Sequence, residues 1–590
     1  MKIEGNQGNL FTFLSRLADN SEFLSKFASE FAKRITLKTK ILIAILLLLA
    51  PYTHAQKHEV RAVWLTTIGG IDWPHSYSAP AQKRELTQIL DQLKRVNVNT
   101  VLVQTRVRGT TIYPSALEPW DGCLSGNPGR SPGYDALQLV VDECHRRGME
   151  CHAWVVTIPL GKWNKLGCVQ MRKKYPALVR HIGEDGFMDP TLPETGDYLA
   201  RFCSEITRNY DIDGIHLDYI RYPETWPKAG RKKGTKGSKL TVESSQTKRD
   251  NITSIVRKIH RAVKSEKPWV KLSCSPIGKS GDLSRYRSGG WNAYYAVYQD
   301  AQGWLRDGLM DQLYPMMYFR GNNFYPFALD WQERSYGRTI VSGLGVYFLS
   351  PSEGNWPLAD ITREMNFIRE NGLGHAYFRS KFLTDDTKGI YRFVREFDQA
   401  PALIPPMTWA WNLPPTSPTR FVVNHGQDSD QLSWGGATDR SRASYLLYNI
   451  YASTTPDVDT SEPRNLIATR LTAAQVSIPH RKGQTLYYAV CAMDRYGNES
   501  TPATEGLKET QLHKLAIQRT DGRRLLLPEK GNTLDAEYLA IETLQGQVVM
   551  TIPYRGRQAS ISRLSDGIYV MRSIGRKGIN HRLGYFSIKR

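Results

Sequence analysis

The sequence predicts a (β/α)8 barrel followed by two small all-β sandwich domains. Three observations predict it. Eight short apolar stretches alternate with helical periods over residues 56–400. Long loops at 67–81, 107–133, 157–195 and 222–250 follow strands, the end at which parallel barrels build their sites. No Gly-rich phosphate loop follows the first strand, which disfavours the alternative, a doubly wound open sheet.

The first 55 residues read as a targeting segment and not as part of the expected fold. Residues 41–50 form an apolar run of ten, preceded by Lys38 and Lys40 and followed by Thr53-His54-Ala55. A basic start, an apolar stretch too short to span a bilayer and small residues describe a signal peptide over 1–55, with a long basic portion. An uncleaved anchor is the alternative. The expected mature chain is exported, to the periplasm, the cell surface or the medium, with no stable membrane span.

The strands are expected at 60–66, 100–106, 150–156, 214–220, 270–277, 310–319, 339–347 and 374–379. Each reads as a short apolar run rich in Val, Ile, Leu and aromatics, as strands covered on both faces do. Helical periods fall between them at 82–96, 135–147, 196–209, 251–265, 291–307, 327–334, 360–370 and 389–397. Residues 401–418 hold six prolines and read as a semi-rigid linker. Residues 419–507 are all-β; the early-strand Trp434, the Tyr487-Tyr488 pair and the turn Asp494-Arg-Tyr-Gly-Asn-Glu-Ser500 resemble a fibronectin type III module. Residues 512–590 are again short strands with Gly turns. Gly567-Ile-Tyr-Val570 and the basic last strand resemble C-terminal sorting domains of the type IX secretion route, which implies the secretion machinery as a partner.

Net charge is +21, but it is spread along the chain and lies in no recognisable nucleic-acid module, so no nucleic-acid partner is expected. Seven cysteines show no CxxC spacing and read as buried free thiols. His145 and His152 lie seven apart with no third partner, so neither a metal nor another cofactor is expected.

The chemistry points to Asp213-Gly-Ile-His-Leu-Asp-Tyr-Ile-Arg-Tyr-Pro223. Asp218 interrupts an apolar strand near its C-terminal end, where a carboxylate is costly unless paired or used. His216 shares its face and reads as a core histidine. Carboxylate acid–base chemistry works with a pair of carboxyls. Asp218 is the first choice, as nucleophile or base, with Arg221 brought near by a bend after Ile220. Glu118, between Leu117 and Pro119-Trp120, is the expected acid, since apolar surroundings raise a carboxyl pKa. Asp72, Asp189 and Glu224 are the other candidates, Asp189 with a capping role as its alternative, and Asp311 reads as structural. Trp64, Trp73, Trp120, Trp154, Tyr318 and Tyr347 gather at strand ends or the loops above them, as sugar-stacking aromatics do, and Asp72, Arg106, Arg221 and Arg379 complete the expected substrate-binding set.

The segment 57–400 carries, in order, Glu59-Val-Arg-Ala-Val-Trp-Leu-Thr66, Ile71-Asp-Trp-Pro74, Tyr113-Pro-Ser115, Glu118-Pro-Trp120, Pro132-Gly-Tyr-Asp135, Asp189-Pro190, Asp213 to Pro223, Ser275-Pro-Ile-Gly278 and Tyr314 to Tyr318. On these motifs it resembles the bacterial glycosyl hydrolase-like 10 family. The resemblance implies an exported barrel enzyme that cleaves O-glycosidic bonds of envelope or extracellular polysaccharide, peptide-stripped peptidoglycan strands among them. The alternative is a non-catalytic glycan-binding envelope protein. The Gly-rich cationic stretch 228–239 departs from the family pattern.

Overall fold

The computed structural model describes residues 56–226, 243–286, 289–441, 443–480 and 483–504, then 518–520, 524–526, 536–543, 548–553, 558–575 and 578–588. The leader expected at 1–55 and the cationic stretch 228–239 lie outside the described residues.

Eight strands close into a barrel: β1 Arg61–Leu65, β2 Thr100–Arg106, β3 Glu150–Val156, β4 Gly214–Asp218, β5 Lys271–Cys274, β6 Gln312–Leu313, β7 Thr339–Leu344 and β8 Gly374–Tyr377. Each pairs in parallel with its sequence neighbours, and β8 returns to β1. Both faces of the strands are covered, which explains their unbroken apolar runs. Val63, Val103, Val155, Ile215 and Leu217 point outward against the helices. Trp64, Leu102, Trp154, Tyr314 and Val341 fill the interior. Two glycines make that interior possible: a Cβ on Gly214 would lie 2.6 Å from His152 Nδ1, and one on Gly343 would lie 2.8 Å from the Pro315 carbonyl oxygen.

Most barrel strands end before their expected limits, and two expected elements depart from their patterns furthest. The helix expected over 291–307 is two pieces, Ala293–Ala296 and Ala301–Arg306. Tyr298 takes a left-handed conformation (φ 62°) between them, and Asp300 caps the second piece by accepting the Gly303 N–H. The strand expected over 310–319 ends at Leu313; Pro315 has no N–H to extend the ladder. The loop expected over 157–195 builds a small antiparallel sheet from Pro159–Lys162, Val179–Ile182 and Asp185–Met188, with the helix Leu166–Lys174 between its first two strands.

After the barrel, two antiparallel sheets face each other. One holds Thr419–Asn424, Ser429–Gly435 and Gln475–Pro479; the other holds Leu447–Ser453, Leu466–Leu471, Tyr487–Met493 and Ala503–Thr504. Leu432, Trp434, Ile450, Tyr488 and Val490 form the core between them. The C-terminal strands include a long hairpin, Gly567–Gly575 with Gly578–Ile588, over a core of Leu539, Ile541, Tyr569 and Phe586. The seven cysteines are all buried and free. Among the described residues no helix is long and apolar enough to cross a membrane.

Candidate active site

Strand alternation on β4 sends His216 and Asp218 into the barrel and Ile215 and Leu217 out to the helices. His216 is the lower of the two. The Trp64 indole N–H donates to its Nε2 at 3.3 Å, so the ring proton sits on Nδ1, 3.0 Å from Ser273 Oγ. Burial holds its pKa well below the ordinary histidine value, with His152 adding to the effect. It is a neutral core histidine, as its in-strand position predicts.

Asp218 stands at the C-terminal rim of β4. Its Oδ2 accepts the Trp154 indole N–H at 3.1 Å. Its Oδ1 accepts the Tyr219 backbone N–H at 2.8 Å and the Ser275 hydroxyl at 3.0 Å. Burial raises the Asp218 pKa, and it outweighs the Arg221 charge and these three donors, which pull the other way. A carboxyl that keeps its proton to higher pH suits a general acid better than the nucleophile or base expected from sequence.

The chain bends directly after this residue. Tyr219 adopts a left-handed conformation (φ 53°), and the Arg221 N–H donates to the Tyr219 carbonyl at 2.8 Å. The bend therefore comes at Tyr219 and not after Ile220. It turns Arg221 back so that its charge acts on Asp218. Tyr318, Tyr347 and Phe378 complete the rim. Tyr318 stacks on Phe378 at 5.4 Å and meets Tyr347 edge-on at 5.8 Å, and the Asp218 charge reaches Tyr318. Trp154, Arg221 and Tyr318 thus lie about Asp218, with Tyr347 beside Tyr318 on the same rim. Tyr219, Ser275, Phe378 and Trp291, whose ring centroid lies 5.4 Å from Arg221 Cζ, are site residues that sequence reading missed. Counting in twos from Ser273 and Ala376 places Ser275 and Phe378 on the inner face.

The other expected site residues lie elsewhere. Register shifts on β2 between Gln104 and Arg106, so Arg106 pairs with Val155, an outward residue. This bulge turns Arg106 out of the barrel, over the Phe202 ring at 5.4 Å. There its guanidinium grips both Glu118 oxygens at 2.7–2.9 Å, and the Tyr198 hydroxyl donates to Oε1 at 2.9 Å. Glu118 and Arg106 are therefore a buried pair behind the barrel wall, with side chains 1 % and 0 % exposed. Asp72 is likewise held, by Arg379 and by the Thr66 N–H. Arg379 also donates to the Ile71 carbonyl, so it pins the loop after β1 and does not face a sugar groove. Trp73 is buried in the outer core and donates to the Gln82 carbonyl at 2.9 Å. Trp120 packs, partly buried, on the same outer core. Trp64 lies inside the barrel, edge-on to His216, Tyr314 and Phe378, as a core residue. Asp189 accepts the N–H and hydroxyl of Thr191 and pairs with Arg180, the turn-forming role named as its alternative. Asp311 accepts from Lys264, the Leu272 N–H and Trp409, a structural role at the barrel's lower end. Glu224 stays exposed, 3.5 Å from Arg221 Nη2.

The glycosyl hydrolase-like 10 family pattern matches residues 59–342. Glycosyl hydrolase DigH of Escherichia coli (strain K12) is 30% identical over 302 residues, covering 45% of this chain and 67% of that protein. This chain belongs to the glycosyl hydrolase-like 10 family. Glycosyl hydrolase YngK of Bacillus subtilis (strain 168) is 28% identical over 478 residues, covering 75% of this chain and 92% of that one. Among solved structures, the PgaB (BpsB) glycoside hydrolase domain from Bordetella bronchiseptica matches 57% of this chain and 98% of its own, at 13% identity and a TM-score of 0.40. The span matched to the glycosyl hydrolase-like 10 family contains Asp218, Trp154, Ser275 and Tyr318 and ends before Tyr347 and Phe378.

Proposed function

We propose that this protein is an exported glycoside hydrolase that cleaves O-glycosidic bonds of an envelope or extracellular polysaccharide, with Asp218 as its general acid. Peptide-stripped peptidoglycan strands are within the expected substrate range. The observation that carries the reading is Asp218 itself: a rim carboxyl with a raised pKa, three donors that fix its orientation and aromatic rings beside it. Family membership and the similarity to the glycosyl hydrolases DigH and YngK support it. Glu118, Asp72 and Asp189 are buried and each held by an arginine, whereas Glu224, 3.5 Å from Arg221 Nη2, is open to solvent. Glu224 is exposed on the turn that carries Tyr219 and Arg221, and we assign it the second carboxyl role. Export rests on the signal-like residues 38–55, and delivery through a secretion machinery on the sorting-domain resemblance of 512–590.

The test is Asp218→Asn. Reducing-end release from purified envelope glycans should fall by about 10²–10⁴-fold, the usual contribution of a general acid, while glycan binding survives. Undiminished turnover would remove Asp218 from the mechanism. A wild-type chain that binds glycans and releases no reducing ends across a broad panel is a binding protein instead.

A further inference from the structure

The helix Ala136–Arg146 ends in a capped turn that carries the chain directly into β3. Gly148 takes the left-handed conformation (φ 68°), its N–H donates to the His145 carbonyl at 2.9 Å, and the Met149 N–H donates to the Cys144 carbonyl at 3.0 Å. This pair of bonds folds the strand back beneath the last helical turn. Cys144 continues the buried stripe of Leu137, Val140 and Val141 on the helix, and Cys151 shares the outward face of β3 with Ala153 and Val155. Both cysteines therefore lie in the layer between helix and barrel, 0 % exposed, and the Cys144 thiol is in hydrogen-bonding contact with that of Cys151. The Cys151 backbone is fixed as well, its N–H donating to Asp213 Oδ2 at 2.9 Å. For the other five thiols the neighbours that act beside burial are charged side chains, such as Arg106 for Cys203 and Asp218 for Cys274.

Facing thiols held by a rigid turn close into a disulfide where the surroundings are oxidising. We propose that Cys144 and Cys151 join in a disulfide that ties the end of this helix to β3 in the exported protein. The proposal is independent of the hydrolase reading and takes from the section above only the export that supplies oxidising surroundings. The step is thiol–disulfide exchange with a disulfide-bearing oxidant. One cysteine thiolate attacks the oxidant, its sulfur bonds to one oxidant sulfur, and the other oxidant sulfur leaves as a thiolate. The second cysteine thiolate attacks the cysteine sulfur of that mixed disulfide, and the remaining oxidant sulfur leaves. The protein gives up two protons and two electrons, and the oxidant becomes two thiols. In the folded chain this exchange is blocked. Contact with Cys144, together with burial, pushes the Cys151 pKa well above its ordinary value, so no thiolate forms, and neither sulfur reaches solvent. The bond therefore closes during folding, before the helix docks, and is afterwards shielded from reductants. It leaves five of the seven cysteines as thiols.

The experiment synthesises the full wild-type chain in a cell-free system, once with oxidised glutathione and once with dithiothreitol, so that no cellular compartment enters the result. Free thiols are alkylated in denaturant and the tryptic peptides weighed; cleavage after Arg146 and Arg147 places the two cysteines on different peptides. The oxidised preparation should show five alkylated cysteines and one linked pair carrying Cys144 and Cys151, and the reduced preparation seven alkylated cysteines. Dithiothreitol should spare the bond in the folded chain and break it in denaturant. Closing so short a loop in the unfolded chain should favour folding by about 10- to 100-fold, read as a higher urea midpoint for the oxidised chain. Seven alkylated cysteines in both preparations overturn the proposal, as does a link to any other cysteine. A linked chain with a midpoint at or below that of the reduced chain overturns it too, since the bond then opposes the native packing. The export reading fails separately: a linked pair from the cell-free synthesis, with seven thiols in the chain recovered from its own cells, keeps the pairing and removes the oxidising compartment.

Discussion

As the proposed general acid, Asp218 should report its role through pH. Its folded pKa is raised, so as a general acid it is competent below that pKa and incompetent above it. The alkaline limb of kcat/KM should therefore belong to Asp218. The Ser275 hydroxyl favours the ionised form through its bond to Oδ1. Ser275→Ala removes that donor and should move the limb upward by roughly one pH unit, since a hydrogen bond to a charged group is worth about 1.5 kcal/mol or more. A limb that stays in place, or moves down, assigns it to another group. Asp218 was legible in the sequence because a lone carboxylate in an apolar strand has few inexpensive explanations. Arg221 was harder to place, because its approach to Asp218 depends on the left-handed Tyr219, a conformation the residue type does not advertise.

At the scale of elements, β2 decides what happens to Glu118. The bulge before Arg106 reverses the inward–outward alternation for the last residue of the strand. Nothing in Gln104-Thr105-Arg106 marks it, since no Gly or Pro is present. Simple alternation puts Arg106 at the mouth with Glu118 above it; the bulge puts both behind the wall. Glu118→Gln would leave Arg106 buried with its charge unpaired, which costs about 3–5 kcal/mol. The expected result is a clear drop in the urea midpoint with cleavage per folded molecule retained. A variant of native stability that cannot cleave would return Glu118 to the catalytic pair. The eight strands and their order were legible because apolar runs spaced by helical periods follow from burial on both faces. Their ends were less so. The strand expected over 310–319 runs through Pro315, the residue that carries the signal for its early end, whereas Tyr298 gave no warning that the pattern at 291–307 would break.

At the scale of the whole molecule, the proline-containing segment does not hold the barrel apart from the β-module of residues 419–504. Leu403 exchanges backbone hydrogen bonds with Lys57 and Glu59, and the Trp409 indole donates to Asp311. The β-module then completes the lower end of the barrel. Asp213, buried at the start of β4, pairs with Arg470 and Arg495 of the module and with His145. Glu150, at the start of β3, pairs with Lys271 and with the same Arg470. Hydrophobic pattern locates such carboxylates at strand starts, but their partners in the β-module lie about 260 to 320 residues away, beyond any local signal. These pairs predict a pH-dependent stability. Burial alone would raise the Asp213 pKa, but Arg470, His145 and Arg495 hold it well below the usual carboxylate value. Its ionised form therefore stabilises the fold above the unfolded-state pKa of about 4, and that contribution is lost as pH falls through the lower folded value. Arg470→Ala removes a partner from both buried carboxylates. It should cost about 3–5 kcal/mol at pH 7, and the gap to the parent chain should narrow as the pH is lowered below about 4. Urea midpoints at pH 7 and pH 3 measure both. The substitution is at the opposite end of the barrel from Asp218, so reducing-end release per folded molecule should be unchanged. A gap of equal size at both pH values would mean that Arg470 acts through packing and not through the carboxylates it faces.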